Sequence, residues 1–146
     1  MEKSTTPTTS HRVGYAFAIF FLVVFLIIVN NLLNWHLPFI SQVLTQDFEK
    51  CLWAINLSLA ATIFGNFVFM FYDPKWFRHM MQVIFGGFSL ISTFVFFSIF
   101  PLNLPSPLFE QLVRWALIIA IAATAISIIV ELVQAIRNYS LASSEK

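Results

Sequence analysis

Charge is what this sequence has least of. Eight Lys or Arg and seven Asp or Glu make up only 10% of 146 residues, with a formal net charge of +1, against roughly 25% charged residues in an average soluble domain. No run of Lys and Arg occurs, which argues against nucleic acid as a partner, because neutralising several phosphates takes clustered cations. Cysteine is rarer still. Cys51 stands alone, which excludes an intramolecular disulfide and a cysteine-rich metal site. It can serve as a small hydrophobe or pair with a cysteine of another chain. The three histidines, His11, His36 and His79, are spread over a tail and two opposite ends of the expected bundle, too far apart to share a metal or a haem. Walker, nucleophile-elbow and HExxH motifs are missing, and the scattered acids form no evident catalytic pair. Neither a cofactor nor catalysis is expected. An enzyme on a lipid or quinone substrate would need His36, Asp47 and Glu49, or His79 and Asp73, to converge.

What fills the chain instead is apolar: 59% hydrophobic residues, 18 of them Phe. They gather into four stretches, about 14–34, 52–72, 79–100 and 112–136. Each is about 20 residues long or slightly more, the length a hydrocarbon core about 30 Å thick requires of a helix. The expected fold is therefore an all-α integral membrane protein, a four-transmembrane-helix antiparallel bundle, with 1–146 as a single domain. The polar segments 1–11 and 139–146 bury too little apolar area to offset the entropy of ordering and read as flexible tails. The first stretch is longer than a signal-peptide h-region and is followed by Asn30, Asn31 and Asn34 instead of a small-residue cleavage site, so it reads as a retained helix.

Six of the eight basic residues, Lys3, Arg12, Lys75, Arg78, Arg137 and Lys146, fall on one side of these spans, and Lys50 and Arg114 on the other. Positive charge is retained on the cytoplasmic side, so both termini are expected there. Trp and Tyr prefer membrane interfaces, and all seven fall near expected boundaries: Trp35, Trp53 and Trp115 outside, Tyr15, Tyr72, Trp76 and Tyr139 inside. Asp73-Pro74 and Ser106-Pro107 read as an N-cap followed by a first-turn proline ahead of spans three and four. The stretch 101–107 reads as a rigid non-helical link, and 35–50, mixing Leu37, Phe39 and Ile40 with Ser41, Gln42 and Gln46, as a segment lying along the outer interface. The tripeptides Asn56-Leu-Ser58 and Asn138-Tyr-Ser140 match the glycosylation pattern but fall within a span and on the expected cytoplasmic side.

Lipid supplies no hydrophobic drive between helices, so close packing of small residues and interhelical hydrogen bonds must do the work. Ala116, Ala120, Ala123, Thr124 and Ser127 share one broad face of span four and form the expected seam. Gln82, Gly86, Ser89 and Thr93 in span three, and Ser58, Thr62, Gly65 and Asn66 in span two, are the expected counterparts, with span one outermost or against a partner. Asn30, Asn31, Asn34 and Asn56 cluster near the outer face as interhelical glue, and Phe17, Phe21 and Phe25 form a lipid-facing or packing stripe.

Glu131 is the only acid well inside a span, where ionisable groups mark functional sites by default. Antiparallel neighbours would bring Asn66 and Gln82 to about its depth, with His79 or Arg78 approaching from the start of span three. Two readings follow. Glu131 can be structural, since it lies roughly 9 Å along the helix from Arg137 and the polar end, or it can be a protonatable or ligand-binding group. The expected function is a non-catalytic accessory, assembly or interaction module whose partners are the lipid bilayer and either further copies of itself or another membrane protein. The alternative is a small oligomeric transporter or channel built on Glu131.

Overall fold

The computed structural model describes residues 9–35 and 38–144. It is all-helical: α1 (Thr9–Asn31), the short α2 (Pro38–Val43), a 3₁₀ turn (Gln46–Phe48), α3 (Glu49–Phe69), α4 (Lys75–Ile99) and α5 (Pro107–Ser144). Four of these, α1, α3, α4 and α5, are long and apolar enough to cross a membrane.

Local chemistry explains where each helix stops. α3 ends at Phe69 because the next amides turn back on carbonyls three residues earlier, Phe71 N–H to Val68 at 3.0 Å and Met70 N–H to Phe67 at 3.2 Å, tightening the chain before Asp73-Pro74. α4 ends at Phe100, which adopts the left-handed conformation at φ 43° and ψ 67°. Pro101 disfavours the helical region for the residue before it, and a left-handed Phe costs about 1–2 kcal/mol. Neighbours hold it there: the Arg114 guanidinium lies 4.1 Å over its ring, and the fully buried Pro101 offers its carbonyl to the Thr45 amide at 2.9 Å. α5 begins at Pro107, with the Glu110 amide donating to the Ser106 carbonyl at 3.2 Å. It then runs unbroken for 38 residues, well past the hydropathy boundary at 136, because no Gly or Pro interrupts ELVQAIRNYSLASS. The segment expected as a C-terminal tail is thus helical through Ser144.

The long helices pack antiparallel in chain order, α1 on α3, α3 on α4 and α4 on α5. No Cα of α1 comes within 8 Å of α4 or α5, and none of α3 within 8 Å of α5. α1 and α5 are therefore end helices with one neighbour each. Between α1 and α3, Asn30 and Asn56 exchange two amide hydrogen bonds, 2.7 and 2.8 Å. Between α3 and α4, Phe85 lies where a Gly65 side chain would stand, 1.8 Å from its hypothetical Cβ. Between α4 and α5, Ile128 fills the space over Gly86, 2.7 Å from the corresponding position.

Both ends of the bundle are tied across. At one end the α1–α3 and α4–α5 connections pair as an antiparallel bridge, Leu44 with Leu102, helped by the Asn103 amide donating to the Val43 carbonyl at 2.7 Å. Phe48, Cys51 and Ala54, which follow Leu44 closely in the chain, are among the buried apolar side chains. Cys51 has no exposed surface, so the intermolecular disulfide considered from the sequence is not available to this fold. At the other end a chain of ring contacts crosses all four long helices, from Tyr15 to Phe69 (5.5 Å), Phe69 to Phe77 (6.0 Å), Phe77 to Trp76 (5.8 Å) and Trp76 to Tyr139 (5.8 Å).

Candidate functional site

Glu131 lies on the side of α5 that meets α4. Its Oε2 stands 2.6 Å from His79 Nδ1, and with the carboxylate ionised the imidazole carries its hydrogen on Nδ1 and donates it. The Gln82 amide satisfies both of its ends only with its nitrogen toward Glu131, where it donates to Oε2 at 2.8 Å and Oε1 at 3.2 Å. His79 and Gln82 lie three residues apart on α4 and so share a face. Glu131 is in this way held by two donors from one helix. The His79 and Glu131 side chains are 22% and 23% exposed, so the cluster is neither sealed in the protein nor open.

Asn66 does not join them. Its amide donates to the Thr62 carbonyl of its own helix at 2.8 Å, and α3 makes no contact with α5 that would carry it to Glu131. Depth along the membrane placed Asn66 beside Glu131, but lateral order separates them by a helix. The small-residue face of α5 also departs from expectation. Ala116, Ala120, Ala123 and Ser127 are exposed, while Val113, Leu117, Ile121, Thr124, Ile128 and Glu131 are among the partly covered positions of that helix. Burying branched side chains against α4, with Gly86 admitting Ile128, aligns α5 through a stripe displaced from the alanines. Thr124 sits between the two stripes and donates to the Ala120 carbonyl at 2.8 Å.

A second polar cluster, which sequence reasoning missed, closes the same end of the bundle. The Asp73 side chain is 3% exposed and accepts from Tyr15 Oη at 2.6 Å and from Arg78 Nε at 2.8 Å, with Arg78 Nη2 completing a bidentate pair. It thereby ties α1 to the α3–α4 turn. Burial by itself would raise the Asp73 carboxyl pKa, but the bonds from Arg78 and Tyr15 and the Arg78 charge outweigh it and hold the group below its ordinary value. The N-cap role expected of Asp73 goes unfilled: Pro74 is the N-cap residue, at φ −71° and ψ 148°, with no side-chain cap bond. A bidentate Arg partner is the stronger attraction for a carboxylate. The signal for it was present as Asp73 and Arg78 flanking a proline, with Tyr15 at the same depth.

Of the residues considered for an interfacial enzyme, His36 lies outside the described residues and Asp47 pairs with Lys50 Nζ at 2.6 Å. Asp73 and His79 take different partners, as above. Among the described residues no three His, Cys, Asp or Glu side chains converge as a metal site. Phe21 and Phe25 border a shallow open groove of about 360 Å³ on α1, lined with Leu22, Val24 and Ile28, which presents only apolar surface. No protein-family model matches the chain, and neither does any curated protein or solved structure.

Proposed function

We propose that this chain is a small multi-pass membrane protein acting as a non-catalytic accessory, assembly or interaction module. The observation that carries this reading is the uncovered face of α5. That helix has one neighbour in its own chain, and the face it leaves open carries Ala116, Ala120, Ala123 and Ser127. Small residues let a second helix approach closely, which is how association is driven in lipid. The test is native mass spectrometry of the protein taken from its own membrane in lipid nanodiscs. Recovery with a second membrane chain, or as a homo-oligomer that Ala120→Leu dissociates, is the expected result. A solitary monomer would overturn the proposal.

The His79–Glu131–Gln82 cluster favours a second reading, a small oligomeric transporter or channel with Glu131 as its protonatable group. An ionisable side chain inside a span, held by a histidine on the facing helix, is the arrangement used in proton relays. Proteoliposome flux abolished by Glu131→Gln in a correctly folded protein would support it, and unchanged flux would remove Glu131 from that role.

A further inference from the structure

The two ring nitrogens of His79 are used differently. Nδ1 meets Glu131 Oε2 at 2.6 Å, whereas Nε2 has no hydrogen-bond partner among the described residues and is not closed off from the surface. The carboxylate's other donor is the Gln82 amide, which orients it but does not titrate. Position along the helices sets an order as well. The Trp76 and Tyr139 rings, 5.8 Å apart across the α4–α5 seam, sit at the level where acyl chains give way to headgroups. At about 1.5 Å per residue, His79 is rooted roughly 5 Å along α4 from Trp76, and Glu131 roughly 12 Å along α5 from Tyr139. The histidine is thus the nearer of the two to the headgroup layer, with one nitrogen toward Glu131 and one open.

Other ionisable groups leave the pair to itself. α4 packs on α3, α5 and the 3₁₀ turn. Glu49, Lys50 and Cys51 of α3, Asp47 of the turn and Glu110 and Arg114 of α5 all lie toward the opposite end, where Leu44 meets Leu102. On the nearer side Arg78 is bound to Asp73, the Tyr139 ring lies against Trp76, and Lys75 and Arg137 are exposed. We propose that His79 is the proton gate of Glu131, exchanging protons with interfacial water at Nε2 and with the carboxylate at Nδ1. The inference rests on the reading of Glu131 as a protonatable group and says how its proton arrives. A hydronium ion gives a proton to Nε2, which forms the Nε2–H bond and leaves water. The Nδ1–H bond then breaks, its electron pair stays on Nδ1, and the proton forms the O–H bond of Glu131. The imidazole ends neutral, as it began, and the carboxylate is neutralised. Glu131 Oε2–H now donates to the bare Nδ1, so the contact survives with its direction reversed. Release runs through the same steps backward.

The signature is a histidine that changes tautomer without becoming a cation. Nitrogen NMR of histidine-labelled protein in lipid nanodiscs should show His79 converting from the Nδ1–H to the Nε2–H tautomer as pH falls. A protonated-carboxyl infrared band that Glu131→Gln removes should rise in step with it. Conversion of His79 to imidazolium beside an ionised Glu131 would overturn the proposal by showing a fixed ion pair, and so would protonation of Glu131 with the His79 tautomer unchanged. Absence of the Glu131 band at every pH where the chain stays folded would overturn the protonatable reading itself, and the gate with it. Kinetics give the second test. After flash release of caged protons, the Glu131 band should rise about 100-fold more slowly in His79→Gln. It should keep its rate in His11→Gln, since α1 makes no contact with α4 or α5. An equal rate in His79→Gln would show that protons reach Glu131 directly and reject the gate. Should His79→Gln fail to fold, the tautomer measurement on the unaltered chain decides, its three histidine signals told apart with His11→Gln and His36→Gln.

Discussion

Asp73 shows how strongly one side chain depends on its partners. Its carboxyl is held below the ordinary value of 3.8, so the unfolded chain binds more protons than the folded one as pH falls through that region. The stabilisation is fully present above the unfolded value and is lost as the pH drops toward the folded one. A thermal-melting series in detergent should therefore show an acid limb below about pH 4 that Asp73→Asn flattens, with about 2 kcal/mol lost at neutral pH. An acid limb unchanged by Asp73→Asn would mean that other carboxylates control it. The glycines give a second single-residue comparison. A Cβ on Gly65 would meet Phe85 at 1.8 Å, whereas one on Gly87 meets nothing within 4 Å. Gly65→Ala should lower stability by about 2 kcal/mol through overpacking, and Gly87→Ala should raise it by up to about 1 kcal/mol through helix propensity. Adding Phe85→Leu to Gly65→Ala should recover most of the loss. Equal melting points for Gly65→Ala and Gly87→Ala would contradict the packing seen between α3 and α4.

At the scale of elements, the reciprocal Asn30–Asn56 pair is the cleanest interhelical bond in the structure, and it lies at the end of the α1–α3 contact opposite Tyr15 and Asp73. Each amide is the other's partner, so Asn30→Leu or Asn56→Leu alone leaves a polar group unmatched beside lipid, at a cost of about 1 kcal/mol. The double variant leaves none, so its loss should be smaller than the sum, as a double-mutant cycle on melting curves would read. Strict additivity would show that the pair is not coupled. The sequence disclosed the four spanning helices because an uninterrupted apolar run has few alternatives in lipid, and it disclosed the turn and link at 73–74 and 101–107 because proline restricts its neighbours. Helix ends were less legible. Hydropathy marks where apolar sequence stops, and α5 keeps its helix beyond that point for want of a breaking residue. Nor was the asparagine partnership specific in the sequence, which placed Asn30, Asn31, Asn34 and Asn56 in one region without saying which would meet.

For the whole molecule, depth was legible and lateral order was not. Antiparallel connections determine how deep each residue lies, and at the depth of Glu131 the side chains of His79 and Gln82 meet it. Which helix stands beside which depends on side-chain packing, and this put α4 between Asn66 and Glu131 and turned the alanines of α5 away from it. The two sides of α5 therefore make opposite predictions. Ile128 fills the space over Gly86, so Ile128→Ala should cost about 1–3 kcal/mol of folding stability, somewhat less than in a water-excluded core because lipid can enter the gap. Ala123 is exposed, so Ala123→Leu places three extra carbons against lipid and should leave the melting temperature of the isolated chain within about a degree. If the open face is where another chain docks, the same Ala123→Leu protein should leave the assembly while remaining folded, because close helix approach fails once a Leu side chain stands between backbones. Melting curves and size-exclusion light scattering on both variants separate the cases. Loss of stability without change of assembly for Ile128→Ala, and the reverse for Ala123→Leu, is the pattern expected of a helix with one face toward its own chain and one toward another. Equal destabilisation by both would mean that α5 packs against its own chain on both sides.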